Sequence, residues 1–585
     1  AGVSVLATSR QPLGVEGEQI IAVAPLSVGD AMRLFGERAR ASAPGFVLDA
    51  QPVGAVAEIC RRVDCLPLGV ELAAARMRVM SVSDVARRLD RLGFLRGAMR
   101  GALPRQQSLT ATIDWSYRLL SESEQVFFAR LSVFAGSFDL AAAHGVCGVV
   151  GSAEDDTLEV LAGLVDKSMV VVRSMTDHTR YGVLETLRAY GQERLQDNGI
   201  DAEFETRHAV YYTELAERAG AGMHGPQEQE WVQRVLPDYD NLRAAFESVL
   251  ADGRFELGMR LVTSVAELIG LRIGYEVAQW ADRLIAVADP QHPLFVAVVG
   301  TAARGAWNGG DPERARSLVE LADGRIPGRG AGRVCYPADV AADMSLFNDP
   351  DRAVAHWEAE AERARREDDP IRLVQALSAL AYSQGLRGRP EVALPVAKEA
   401  VQVADTTANP TARSMAYFSL GFLLKKSEPV RATALFDRAA SLAGAVQNFW
   451  WYGIALMEGA ATRASRSEPK ECPEAARMLV AVHDHWERVG DWVEQWVALR
   501  YTTRFLARLG AADDALFLHR VIVDAGHPPP LRPDQLDVLV DGSGTERFDA
   551  GEPTRASAGG GGTVAVARAR SSLQRYLAET ADSAT

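Results

Sequence analysis

Apolar residues recur at helical spacing along most of the chain. Residues 24–41 begin at a candidate cap, Ser27, and then place Ala31, Leu34 and Phe35 on one face. The same spacing predicts helices over 53–64, 69–77 and 81–92, with Pro67 separating the first two because proline cannot extend a helix.

The first residues follow a different pattern. Residues 2–8 read as a short, mostly apolar strand with Val3, Val5 and Leu6 as buried candidates, and the polar triplet Thr8, Ser9 and Arg10 ends it. Such a run is typical of an inner strand of a parallel sheet at the point where it reaches a ligand. An inner strand needs neighbours on both sides, and the pattern alone does not say which segments supply them.

The tract 106–195 combines helices with a short hairpin. Helical spacing covers 107–120, 121–134, 138–147 and 155–166. Two β-rich stretches, Met169–Arg173 and Arg180–Val183, then flank a polar turn, and a helix over 184–195 follows. Helices followed by a two-stranded hairpin predict a winged helix.

Beyond residue 204 the pattern becomes an internal repeat without strands. Six segments, most of them preceded by a short turn and an apolar helix, align on an alanine about every forty residues. Each unit reads as helix, turn and helix, with the alanine where two helices approach closely. Since one such pair cannot bury its apolar face alone, the units should stack into an α-solenoid resembling tetratricopeptide repeats. The aligned alanines are Ala315, Ala353, Ala393, Ala432, Ala476 and Ala515.

Composition places the 585-residue chain among ordinary globular proteins. Hydrophobic residues make up 48% and charged residues 24%, and the formal net charge of −14 argues against wrapping nucleic acid or an anionic membrane. No apolar run is long enough to cross a membrane, so we expect a cytoplasmic protein without membrane contact. The cysteines show no paired metal spacing and are interpreted as buried thiols: Cys60, Cys65, Cys147, Cys335 and Cys472.

Five separated motifs occur in an order that resembles a known family. They read VSVLATSRQPL (3–13), CLPLGVELAAAR (65–76), RQQSLTATIDWSY (105–117), LVDKSMVVV (164–172) and YGVLETLRAYGQERL (181–195). The series resembles STAND-class, NB-ARC-like regulatory ATPases of the group that contains bacterial LuxR-type and related transcriptional regulators. By this resemblance the chain is the carboxy-terminal portion of such a protein and lacks the phosphate loop.

The resemblance and the periodicity together predict a mainly α fold. A remnant of an α/β nucleotide-binding domain is followed by a helical lid, a winged helix and the α-solenoid. The expected boundaries are 1–20 for the sensor-strand remnant, 21–105 for the lid, 106–200 for the winged helix, 201–300 for a helical connector or first repeats, 301–540 for the tetratricopeptide-like solenoid, 541–563 for a flexible linker, and 564–585 for a terminal helix and tail.

The resemblance implies only a residual nucleotide site. Thr8 and Arg10 occupy the family's sensor position, although an arginine at a strand end can equally pair with a carboxylate. Pro67 matches the lid proline beside the adenine, although the helix boundary alone would also favour a proline there. No Gly-Lys pair occurs in the sequence, so the phosphate-loop lysine is missing. We therefore expect no ATPase activity, no catalytic or metal site, and ATP or ADP binding only if the missing half is supplied.

Two further groups of residues have alternative interpretations. The helix expected to read DNA, Asp155–Lys167, is rich in acids, which phosphates would repel, so direct DNA binding is not expected. His208 with Tyr211 and Tyr212 is interpreted as a packed helix face. The tryptophans 450, 451, 486, 492 and 496 are interpreted either as solenoid core or as the lining of a groove that binds a peptide or effector.

Two functions are consistent with these features. In the first, the chain belongs to a signal-transducing transcriptional regulator, whose solenoid senses a protein partner or small effector while lid and winged helix relay the event. An upstream nucleotide-binding half supplied in trans is then a possible partner. In the second, the chain is a tetratricopeptide-like protein-binding scaffold with a vestigial nucleotide-binding region.

Overall fold

The computed structural model describes residues 25–43, 46–48, 51–52, 54–88, 109–174, 179–328, 331–346, 348–466, 473–543 and 558–582. The predicted sensor strand, with Thr8 and Arg10, lies outside these residues, as does Cys472. The described part divides into two compact units, unit 1 with residues 1–213 and 237–252, and unit 2 with residues 214–236 and 253–585.

The first elements in chain order are α1 (Val28–Ser42), α2 (Ala55–Arg62), α3 (Pro67–Ala75), α4 (Val82–Arg88), α5 (Leu109–Arg118), α6 (Glu122–Leu131), α7 (Leu140–Cys147), α8 (Glu154–Asp166), β1 (Val171–Ser174), β2 (Thr179–Gly182), α9 (Glu185–Asp197), α10 (Asp201–Gly222), α11 (Glu228–Val235), α12 (Tyr239–Ala251), α13 (Phe255–Gly270) and α14 (Glu276–Ile285).

The remaining elements are α15 (Phe295–Asn308), α16 (Pro312–Leu321), α17 (Pro337–Ser345), α18 (Pro350–Arg366), α19 (Pro370–Leu386), α20 (Pro390–Thr407), α21 (Pro410–Leu424), α22 (Pro429–Ala445), α23 (Phe449–Arg466), α24 (Pro473–Val489), α25 (Trp492–Leu509), α26 (Ala512–Asp524), α27 (Pro533–Ser543) and α28 (Ala558–Asp582).

The mainly helical fold predicted from the sequence is confirmed. Ser27 caps α1, since its Oγ accepts a hydrogen bond from the Asp30 backbone N–H at 3.1 Å. Pro67 is the first residue of α3, where its missing N–H leaves no hydrogen bond unmade. No described helix combines the length and the apolarity that crossing a bilayer requires.

The predicted hairpin forms in unit 1. Strands β1 and β2 pair antiparallel, with Val172 opposite Tyr181. A capping box of Ser121 and Glu124 starts α6, and this helix buries Phe128. Helices α6 to α8 precede the hairpin and α9 follows it, which is the chain order that a winged helix requires.

A carboxylate from the predicted lid caps the helix that follows the hairpin. Asp64 accepts hydrogen bonds from the backbone N–H groups of Glu185 at 2.8 Å and Thr186 at 2.9 Å. Burial raises the pKa of Asp64, although these hydrogen bonds favour its charged form. The contact satisfies the free N–H groups of α9 and joins the lid helices to the winged helix.

A buried ion pair fastens the hairpin to α12 within unit 1. Arg180 of β2 contacts Asp238 at 2.7 Å, and both side chains are 4% exposed. Asp238 also accepts hydrogen bonds from the Tyr212 hydroxyl at 3.1 Å and the Asn241 amide at 3.2 Å. His208 is buried nearby, and burial lowers its pKa to about 4. The interpretation of His208 and Tyr212 as a packed helix face is confirmed.

The repeat register of unit 2 is confirmed by its alanines. All six aligned alanines, at 315, 353, 393, 432, 476 and 515, are fully buried. Four helices pair a proline at their first position with a capping aspartate or asparagine, and these helices are α16, α18, α19 and α21. The proline fixes the backbone of the first turn, and the capping side chain accepts a hydrogen bond from a backbone N–H that has no partner within the helix. Each of these four helices therefore begins at a defined residue.

Replacing Ala393 with tryptophan is expected to destabilise unit 2 by about 1–3 kcal/mol, because the added ring must displace close-packed neighbours. Ala393 is 0% exposed within α20. Urea denaturation of the variant measures the loss. Val392→Trp is the matched control, since the neighbouring Val392 is 47% exposed. An equal midpoint for wild type and A393W would mean that the repeat register is wrong.

Unit 2 also contains contacts that a simple stack of repeats would lack. Glu228 of α11 receives hydrogen bonds from Arg272 at 2.7 Å and from the Thr411 backbone N–H at 2.9 Å. Arg272 donates in turn to the Val446 carbonyl at 2.9 Å, and the Arg272 and Glu228 side chains are fully buried. Helix α11 and the end of α13 are thus bonded directly to repeats that lie more than 170 positions further along the chain.

The end of the chain differs from the predicted linker. Residues 558–563, which the sequence pattern assigns to a flexible segment, form the first turns of α28. A Cβ atom at Gly562 would lie 2.6 Å from the Trp492 ring, so only glycine permits this close approach. Gly562 therefore serves helix packing. Four of the predicted buried thiols, Cys60, Cys65, Cys147 and Cys335, are free and buried.

Candidate ligand cavity in unit 2

Unit 2 encloses a cavity of about 250 Å³ between its first helices and its later repeats. Helices α13, α15, α19, α23 and α25 supply most of the wall. A cavity of this kind, mostly apolar with a few polar groups, is the usual form of a small-molecule site.

Aromatic side chains form one wall of the cavity. Trp450 and Trp451 of α23 lie with ring centroids 5.0 Å apart at 79°, and Trp451 packs edge-on against Phe418 at 5.9 Å. Trp486 and Trp496 instead lie in the hydrophobic core. The tryptophans therefore divide between the two interpretations, since Trp450 and Trp451 line a cavity while Trp486 and Trp496 are core.

A hydrogen-bonded aspartate stands at the edge of this aromatic wall. The Oδ2 atom of Asp491 accepts hydrogen bonds from the Tyr275 hydroxyl at 2.7 Å and the Trp450 indole N–H at 3.1 Å. Its Oδ1 atom accepts from the Glu494 backbone N–H at 3.0 Å, which caps α25. Asp491 thereby fixes the orientation of the Trp450 ring.

Glu494 differs from the other acids of the cavity because its carboxyl group has no hydrogen bond or ion pair within the part of the chain that the structure describes. Burial and the neighbouring carboxylates of Asp491 and Glu458 raise its pKa well above the usual range. Asp343 pairs with Arg304 at 2.6 Å, and Glu458 with Lys425 at 2.9 Å.

Two neutral polar groups in the wall are also unsatisfied. The Ser378 hydroxyl and the Gln375 side-chain carbonyl are buried without a hydrogen-bond partner among the described residues. Ser378 is 3% exposed. Since a buried polar atom without a partner costs about 1–3 kcal/mol, such atoms are retained mainly where something else satisfies them.

The residues predicted for a residual nucleotide site do not belong to this cavity. Thr8 and Arg10 lie outside the described residues, and Pro67 is an exposed residue of unit 1. The sequence signal for the cavity was the pairing of tryptophans with acids in the stretch from Asp491 to Trp496, but its partners Tyr275 and Trp450 are distant in the chain. The described residues contain no cluster of His, Cys, Asp and Glu that could hold a metal ion.

Comparison with known proteins supports the winged helix and a relationship to regulators. Residues 120–196 match the family model of the winged helix-turn-helix domain. The chain is 36% identical over 408 residues to proteins of Mycobacterium tuberculosis and Mycobacterium bovis named "Putative HTH-type transcriptional regulator". The match covers 69% of this chain and 42% of those proteins, so the chain spans about two fifths of their length.

An uncharacterized protein of Mycobacterium tuberculosis is 40% identical over 204 residues, which is 34% of this chain and 51% of that protein. Among solved structures, a STAND protein with a tetratricopeptide repeat sensor from Pyrococcus horikoshii has 13% identity and a TM-score of 0.36, with 84% of this chain and 71% of that chain covered. A Rap protein complexed with competence and sporulation factor has 12% identity and a TM-score of 0.38, covering 65% of this chain and 99% of that chain. Both TM-scores are below 0.5.

Proposed function

We propose that this chain is the sensory part of a transcriptional regulator, in which the cavity of unit 2 binds an effector and unit 1 transmits this binding signal. The homology to HTH-type regulators over 408 residues supports the regulatory role. The match to the winged helix-turn-helix family supports a relay module in unit 1.

The observation that carries the proposal is the set of unsatisfied polar groups in an aromatic cavity. Among the described residues, the Ser378 hydroxyl and the Gln375 side-chain carbonyl are buried without a hydrogen-bond partner, and no partner is found for the carboxyl group of Glu494, which also lines the cavity. Buried polar groups without hydrogen-bond partners reduce the stability of the fold. Titratable groups with strongly shifted pKa values, such as Glu494, concentrate at functional sites. A ligand that supplies the missing partners would bind there and stabilise the surrounding helices.

We assign to the winged helix a relay through protein contacts and not the reading of DNA. The acids at the start of α8, Glu154 to Asp156, are exposed and would meet phosphates with like charge. Lys167, which follows this helix, forms an ion pair with Glu124 at 2.5 Å.

The proposal also assigns no ATP hydrolysis to this chain, since its sequence lacks the phosphate-loop lysine.

The proposal is tested by deleting the gene in its host and measuring transcripts. Deletion should change a defined set of transcripts, and restoring the wild-type gene should reverse the change. A variant with the cavity filled, Ala379→Phe, should fail to restore the response, because Ala379 lines the cavity on α19. Ala359→Phe, on the exposed face of α18, is the matched control and should restore it.

Two results would contradict the proposal. Transcripts that do not change on deletion would remove the regulatory role. A full response by the Ala379→Phe variant, with circular dichroism showing a folded protein, would remove the sensing role of the cavity.

A further inference from the structure

We propose that the effector of this cavity is a small organic cation, whose charged group lies against Asp491 and Glu494 and whose apolar part contacts the tryptophan wall. The inference rests on the proposed function, because it identifies the effector class of the same cavity.

The charges of the wall are not balanced. Its acids are Asp343, Glu458, Asp491 and Glu494, and its bases are Arg304 and Arg333. Arg304 is paired with Asp343, and Arg333 is paired with Glu267 behind the wall, where Nε lies 2.9 Å from Oε1. Lys425 neutralises Glu458 from outside the lining.

Two acids therefore remain without a cation among the described residues, Asp491 and Glu494. Asp491 has a complete structural role as the cap of α25 and the partner of Tyr275 and Trp450. Glu494 has none, since nothing described bonds its carboxyl group. A cation would stabilise the ionised form of both carboxyl groups, so its binding should release the proton that the raised pKa of Glu494 favours, whereas an anionic effector would gain no such attraction.

The aromatic wall favours the same ligand class. Indole and phenol rings attract cations through their negative faces, and tryptophan does so most strongly. Trp450 is tied to Asp491 by its indole N–H, so one acid and one ring are held next to each other. Ring and carboxylate together bind the charged end of an amine more tightly than either does alone.

The remaining polar groups match an ammonium group. A protonated primary amine has three N–H donors and no acceptor. The Gln375 carbonyl and the Ser378 hydroxyl are unsatisfied and can accept from such a donor. A volume of about 250 Å³ admits a small molecule or one side chain and excludes a folded domain.

The test is calorimetry on the purified full chain at pH 7. The probes are phenethylamine, tryptamine and cadaverine, each compared with its neutral counterpart, 2-phenylethanol, tryptophol and 1,5-pentanediol. At least one amine should bind ten-fold or more tightly than its counterpart. Glu494→Gln should abolish that preference, while the control Glu362→Gln should keep it, because Glu362 is 68% exposed on α18.

Three results would overturn the inference. They are the absence of binding by every amine at millimolar concentration, equal binding of amines and alcohols, and a preference unchanged in the Glu494→Gln variant. Tighter binding of an acetylated, amidated Trp-Lys dipeptide than of any free amine would also overturn it in favour of a peptide partner.

The calorimetry and the transcript experiment test the two proposals separately. Amine binding that depends on Glu494 without any change in transcripts on deletion would remove the regulatory role alone. A change in transcripts without amine binding would remove the cationic effector alone.

Discussion

Replacing Arg372 with methionine is expected to lower the free energy of unfolding of unit 2 by about 3–5 kcal/mol, because it removes the guanidinium that pairs with two buried carboxylates and leaves, among their described ion-pair partners, only His356 beside Asp339 and Arg363 beside Glu360. Arg372 contacts Asp339 with two hydrogen bonds, at 2.6 and 2.7 Å. Its Nε atom also donates to Glu360 at 2.9 Å. The exposed fractions of the three side chains are 3%, 0% and 7%.

The pKa of Asp339 shows how strongly Arg372 stabilises the charged form of this buried carboxyl group. Burial alone would raise that pKa, but the charge and hydrogen bonds of Arg372, with a smaller contribution from His356, outweigh burial and hold it at about 2. The contribution of Asp339 to stability is therefore present above its unfolded pKa of about 3.8 and is lost as the pH falls toward 2. Without Arg372 the carboxyl group can take up a proton at higher pH, so the difference from wild type should shrink on acidification.

Urea denaturation at pH 7 and pH 4.5, followed by circular dichroism, measures both effects. Arg365→Met is the matched control, because Arg365 also pairs with two carboxylates, Glu362 and Glu399, but is 38% exposed. Solvent-exposed pairs contribute about 0–1 kcal/mol, so the control should unfold close to wild type. Similar losses in the two variants would show that burial does not set the strength of the Arg372 pairs.

Replacing Asp238 with alanine is expected to destabilise unit 1 by about 3–5 kcal/mol. The substitution leaves the Arg180 guanidinium buried without its carboxylate and removes the acceptor of the Tyr212 hydroxyl. Because Arg180 lies in β2, the hairpin should lose its attachment to α12 first.

Hydrogen exchange with mass spectrometry can locate this loss. Peptides covering 120–196 should exchange faster in the Asp238→Ala variant, while those of α18 to α23 should exchange as in wild type. Asp240→Ala is the control, since Asp240 is exposed on the same helix and 3.9 Å from Arg243. Equal protection of 120–196 in the two variants would contradict the assigned role of the pair.

Local rules were enough to predict the elements and the repeat register. Ser27, Pro67 and the six alanines act within a few residues of their own position, through capping, fixed backbone angles and close helix approach. Such signals can be read from one sequence. They do not specify which helices meet at long range.

The cavity and the buried ion pairs depend on contacts between residues that are far apart in the sequence. Tyr275 and Asp491 are 216 positions apart, and Arg272 and Val446 are 174 apart. A weak signal for one of the pairs does exist, since Arg372 is the single charged residue of α19. The partners of Arg372 could not be inferred from periodicity, because any distant opposite charge would satisfy the pattern.

The bonds from Glu228 and Arg272 to distant repeats have a consequence for how this protein can evolve. Repeat proteins commonly change length by duplication or deletion of whole modules, since each module touches only its neighbours. Here, deleting one module between α15 and α21 would move Thr411 and Val446 away from their partners. These cross-contacts therefore fix the number of modules between α13 and α22, and descendants of this gene should vary there by substitution within modules and not by their copy number.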